Sequence, residues 1–128
     1  MRKNIYEMTP KHSYFTENFN IKISGEEHGG MVCAVHHFPP GMDITPAFKA
    51  FGGFCPMPHW GYCFKGAATM RYDDGTEEVI RAGDVFYFPK GHTMIIDKDA
   101  KESCEIIEFS KASDFGETEA MVEKTANK

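Results

Sequence analysis

The sequence predicts an all-β protein, an antiparallel sandwich or barrel, and three observations carry that expectation. The 128 residues include no leucine, whereas Phe occurs 11 times, Met 8 times and Tyr 5 times. Leucine is a favoured residue of helices, while aromatic and β-branched side chains suit pleated surfaces. Short apolar segments recur every eight to twelve residues or so, the spacing of small sandwiches and barrels. Turn chemistry separates them, most clearly at Asp73-Asp74-Gly75 and Pro89-Lys90-Gly91. Glycine accepts the positive φ at which a chain reverses.

Taken in order, residues 1–18 are polar and broken by Pro10, which predicts an arm or a short edge strand. The alternation over 20–24, stopped by Gly25, reads as a strand, and 31–38 follows as a second, closed by Pro39-Pro40-Gly41. Residues 42–53 form a long irregular connection, the kind of segment that often binds ligands. Strands are then expected over 58–65, 67–72, 76–80, 85–88, 93–96 and 105–109. The charged tail, 110–128, has Ser113 or Asp114 as a cap for one short C-terminal helix.

This length suits a single domain, with an arm over 1–18, a barrel over 19–109 and a tail over 110–128. A net charge of −5 argues against a nucleic-acid partner, which needs a basic stripe. No apolar run approaches the roughly 18 residues of a membrane span. The first residues show no leader, and the four cysteines have no C-x-x-C spacing. The expectation is a cytoplasmic protein with free thiols and no membrane association.

Side chains on an extended strand alternate faces. Through 55–64 that parity puts Cys55, Met57, His59, Gly61 and Cys63 on one face and Trp60, Tyr62 and Phe64 on the other. Thiolate and imidazole together suit a borderline-soft divalent ion such as zinc, and His92 is the natural third ligand. The competing reading makes Cys55 and Cys63 small core residues and His59 a hydrogen-bonded interior histidine. One of His36 and His37 must face inward and is a candidate fourth ligand, the commoner reading being a solvent-facing or hydrogen-bonded histidine. Glu105 and Glu108 fall on opposite faces of the last strand; one of them is a candidate inward base, and the commoner reading is edge charge. Asp84 is expected to bond backbone amides and Asp43 to cap the Thr45-Pro46 turn.

The run Gly83-Asp84-Val85-Phe86-Tyr87-Phe88-Pro89-Lys90-Gly91-His92 resembles the second conserved motif of the cupin superfamily, G-D-x-x-x-x-P-x-G. His59-Trp60-Gly61-Tyr62-Cys63-Phe64-Lys65-Gly66 resembles the end of the first, H-x-H-x-x-x-E and then a glycine. The resemblance spans about 50–109 and implies a double-stranded β-helix, the jelly-roll barrel. It also marks departures: His59 stands at the usual ligand Glu, Cys55 at the second His, Gly53 at the first, and Met94 at the His of the second motif. The usual three-His, one-Glu set is therefore missing, and Cys55, His59 and His92 are the metal candidates in its place.

The resemblance further implies a pocket at the barrel mouth for a small polar molecule, lined by Met57, Gly61, Cys63, Phe86, Phe88, Met94 and His37. It implies a homodimer, for which Trp60, Tyr62 and Phe64 offer an outer apolar stripe. A divalent metal there, zinc favoured over iron because no carboxylate aligns, fits an isomerase, lyase or dioxygenase type of enzyme. The alternative is a barrel that binds or senses a small ligand without metal and without turnover.

Overall fold

A computed structural model describes residues 2–8, 10–15 and 20–114. Nine strands follow in order: β1 (Pro10–Phe15), β2 (Asn20–His28), β3 (Met31–Phe38), β4 (His59–Lys65), β5 (Ala67–Tyr72), β6 (Glu77–Arg81), β7 (Val85–Phe88), β8 (His92–Ile95) and β9 (Cys104–Lys111). They form a six-stranded sheet, β1-β2-β3-β9-β4-β7, and a three-stranded sheet, β6-β5-β8. Every ladder is antiparallel. The chain crosses between sheets at the β4–β5, β6–β7, β7–β8 and β8–β9 connections, the connectivity of a jelly roll.

The arm contributes β1, an edge strand paired to β2, and β2 runs past Gly25 to His28 because β3 pairs with it along that length. The connection over 42–53 is not irregular throughout. Thr45–Phe51 is a 3-10 segment that buries Ala47 and Phe48. At the C-terminal end a helical turn occupies 112–114, and the rest of the expected tail helix lies outside the described residues. Asp74 accepts from the Thr76 amide at 2.9 Å in the β5–β6 hairpin, Asp84 from the Arg81 amide at 2.7 Å, and Asp43 from the Thr45 amide at 2.9 Å.

The core is built without leucine from Phe38, Phe88, Met42, Met70, Ile96 and Ile106, all fully buried, with smaller Ala, Val and Cys between them. Stiff aromatic and β-branched groups fill a sandwich well, and Met takes up irregular gaps. Phe86 and Phe88 point inward from β7 and stack with ring centroids 4.0 Å apart. Gly61 is required beneath them. A methyl group there would collide with the Ile107 carbonyl oxygen of β9 and with the Phe86 ring.

Candidate metal centre

Two strands and one loop bring the ligand candidates together. His59 opens β4 with its side chain inward, and Cys55 lies four residues before it in the preceding loop. That loop is pinned to β8: the Cys55 amide donates to the His92 carbonyl at 2.7 Å, and the Gly91 amide donates to the Cys55 carbonyl at 2.7 Å. Gly91 must be glycine for this approach, because its φ is +87° and a Cβ would strike the Asp73 carboxylate. The turn therefore fixes where His92 begins β8.

The ligand atoms of Cys55, His59 and His92 all lie within 4.8 Å of one another, and all three residues are buried. Cys55 Sγ is 3.5 Å from His59 Nε2, and the His59 and His92 rings meet edge to face at 4.9 Å. The second ring nitrogens are already engaged. His59 Nδ1 is 2.7 Å from Ser110 Oγ, and His92 Nδ1 donates to the Pro89 carbonyl at 2.7 Å. That carbonyl fixes the His92 tautomer and leaves the lone pair on Nε2, which is how metal-binding imidazoles are oriented. The Ser110 hydroxyl engages His59 Nδ1, where it serves as donor or acceptor, and leaves Nε2 facing Cys55.

The electrostatics suit neutral imidazoles. Burial lowers His59 to about 4, against the opposing pull of Glu108. Burial also lowers His92, which its bond to Pro89 and the Glu108 charge oppose. Burial pushes the Cys55 thiol up to about 12, so a metal must displace its proton to bind. The donor set and its spacing fit a divalent ion of the zinc kind: thiolate sulfur and two imidazole nitrogens in a dry site.

A buried neutral histidine makes stability depend on pH. His59 titrates near 6.5 when unfolded and about 4 when folded, so between those values the unfolded chain binds more protons. Its contribution is complete above pH 6.5 and is lost as pH falls toward 4, at about 1.4 kcal/mol per unit. Urea unfolding of metal-free protein from pH 7 to 4.5 should show that decline, and His59→Gln should flatten it. An unchanged slope in the variant contradicts a neutral, buried His59.

The other residues singled out in the sequence divide. Met57, Phe86, Phe88 and Met94 are buried in the interior, and Gly61 sits beneath Phe86. Cys63 is buried too, but it lies four residues along β4 from His59, and its thiol donates to the Lys65 carbonyl at 3.4 Å. His37 does not line the interior. It points outward and pairs with Glu105 at 2.7 Å, since β3 turns Val32, Ala34, His36 and Phe38 inward.

His36 is thus the inward histidine, and Glu108 is not an edge charge. β9 lies between β3 and β4, so its inward residues Cys104, Ile106, Glu108 and Ser110 are covered. Glu108 is 6% exposed, with Oε1 2.7 Å from His36 Nε2 and 3.8 Å from His59 Nε2. The His36 contact is close but off the line of the ring N–H, so neither His36 nitrogen has a hydrogen-bond partner among the described residues. Burial acts to raise the Glu108 carboxyl, but His59 and His36 outweigh it and hold it well below the usual carboxylate range. The signal for Glu108 was its parity with Ile106; the missing fact was which strands flank β9.

No family model matches the sequence, and no curated protein is similar to it in sequence. The structure is similar to the predicted oxalate decarboxylase of Thermotoga maritima, with TM-score 0.62 and 16% identity over 87% of this chain and 98% of that one. It is similar to a cupin superfamily protein of Desulfitobacterium hafniense, with TM-score 0.54 and 13% identity over 75% and 80% of the two chains. It also matches HppE, crystallised as Fe(II)-HppE with an alternative substrate, with TM-score 0.61 and 10% identity over 86% of this chain and 59% of that one. The chain has the cupin fold. Among the described residues no helix is long and apolar enough to cross a membrane.

Proposed function

We propose that this protein is a cupin that holds one divalent ion on Cys55, His59 and His92 and acts on a small polar molecule at that ion, as an isomerase, lyase or dioxygenase type of enzyme. One observation carries the reading: three buried donor atoms within 4.8 Å, two of them imidazoles whose other nitrogens are already held. The ion's contribution, when bound, is to polarise a substrate oxygen or activate water. Pro89 and Ser110 orient the imidazoles, Phe88 packs 5.4 Å from the His92 ring, and the buried apolar wall of Met57, Phe86 and Met94 excludes water. The thiolate favours zinc over iron.

Tag-free protein, stripped with chelator and dialysed against zinc, should retain one ion per chain after gel filtration. Cys55→Ser and His59→Ala should retain none. Wild-type protein that takes up no zinc, ferrous iron or cobalt leaves the metal-free ligand-binding barrel as the account of this interior.

We also propose that the protein pairs as a homodimer through the outer face of β9, β4 and β7. Trp60, Tyr62, Val85, Tyr87 and Phe109 are exposed there side by side, with Trp60 and Tyr87 in ring contact at 5.2 Å. An apolar patch of that kind marks an interaction surface. Sedimentation should find a dimer that Tyr87→Glu dissociates; a wild-type monomer at tens of micromolar removes this part of the proposal.

A further inference from the structure

We infer that Glu108 is a fourth ligand of the same ion and that His36 is the outer residue that positions its carboxylate. The inference rests on the metal reading above and extends it to a residue outside the Cys55, His59, His92 set. Spacing is the first argument. Four donors at about 2.0–2.3 Å from one tetrahedral ion stand roughly 3.3–3.8 Å from each other. Cys55 Sγ and His59 Nε2 at 3.5 Å, and His59 Nε2 and Glu108 Oε1 at 3.8 Å, have that spacing, while Glu108 stands outside the three residues whose ligand atoms all lie within 4.8 Å of one another, so its carboxylate would turn toward the ion on binding.

The second argument is room. Glu108 is paired across the sheet with Ala34 on β3 and Gly61 on β4. Neither neighbour has a side chain beyond Cβ; Phe86 fills the space at Gly61, and Ala34 leaves room beside the carboxylate. The third is charge. A carboxylate buried this deeply needs a positive counterpart. The groups facing it are His36, His59 and His92, and among the described residues no lysine or arginine is in contact with it. A thiolate, a carboxylate and two neutral imidazoles carry −2 together, which neutralises a divalent ion. Three ligands without Glu108 would leave a net positive charge buried.

The fourth argument is His36, stacked on Phe38 with centroids 5.2 Å apart and with Nε2 2.7 Å from the Glu108 carboxylate, a buried ring with no other polar group to serve. A residue that fixes a ligand without touching the metal often matters 10- to 100-fold in affinity. Glu108 also changes the metal preference. Two imidazoles and a carboxylate form the donor set of non-haem iron sites, so ferrous iron becomes competitive with zinc.

Cobalt(II) distinguishes the two levels of the argument. Metal-free wild-type protein titrated anaerobically with cobalt should develop a sulfur-to-cobalt charge-transfer band and the intense visible bands of a four-coordinate site. Glu108→Gln should keep the charge-transfer band, shift the visible bands and bind at least tenfold more weakly. Glu108→Asp should fall between the two, and His36→Gln should lose affinity without losing the four-coordinate spectrum. Should Glu108→Gln not fold, the infrared difference spectrum of wild-type protein on cobalt binding replaces it, and a shifted carboxylate stretch is expected. Unchanged affinity and visible bands in Glu108→Gln, or an unshifted carboxylate stretch, overturn the role of Glu108 and leave the three-ligand reading intact. A wild-type titration with no sulfur-to-cobalt band overturns that reading, and this inference with it.

Discussion

Cys55→Ala and His59→Ala should each weaken binding of a divalent ion by roughly 10²–10³-fold, measured by competition with a chromophoric chelator. Structural zinc sites with four ligands bind with about 10–16 kcal/mol at neutral pH, or roughly 2.5–4 kcal/mol per ligand. Each 1.4 kcal/mol is about tenfold in affinity. Cys63→Ala is the informative control. Cys63 is as buried as Cys55 and lies on the same strand face as His59, yet its thiol faces the Lys65 carbonyl instead of an imidazole. It should leave affinity unchanged. Equal losses at Cys55 and Cys63 would mean that thiol removal acts through general loosening of the interior.

Phe88→Ala should cost about 3–5 kcal/mol and lower the melting temperature by roughly 10–20 °C. Phe88 is 1% exposed, stacks on Phe86 and packs against the His92 ring, so its removal opens a cavity beside the ligand cluster. Val79→Ala on β6, 45% exposed and outside the proposed dimer face, should stay within about 0.5 kcal/mol. Thermal melts of the two variants side by side check the contrast. If Phe88→Ala melts with the wild type, the interior is less tightly packed than the stacked pair implies.

The fold was legible because its signals are local. Absence of leucine, the period-2 alternation in 31–38 and 59–63, and the glycine turns at Gly75, Gly83 and Gly91 each act over a few residues and agree with one another. The convergence of Cys55, His59 and His92 followed from one strand parity and one turn. What escaped was set by long-range pairing. β9 has Ile at both 106 and 107, so its alternation does not say which parity is inward, and nothing in its sequence shows that β3 and β4 flank it. The sequence therefore leaves edge charge as the commoner reading of Glu105 and Glu108 and does not say which of them is the inward one. His36 and His37 posed the same ambiguity, which Val32 and Ala34 resolve in favour of His36 inward. The 3-10 segment Thr45–Phe51 was hidden by Pro46, which is tolerated in a first turn but reads as a breaker.

Zinc-edge X-ray absorption on the loaded wild-type protein tests the central proposal most directly. One sulfur at about 2.3 Å with nitrogen or oxygen neighbours at about 2.0–2.1 Å is the predicted shell, and Cys55→Ser should lose the sulfur. A shell of nitrogen and oxygen alone in the wild type would contradict the proposal that Cys55, His59 and His92 hold the ion together.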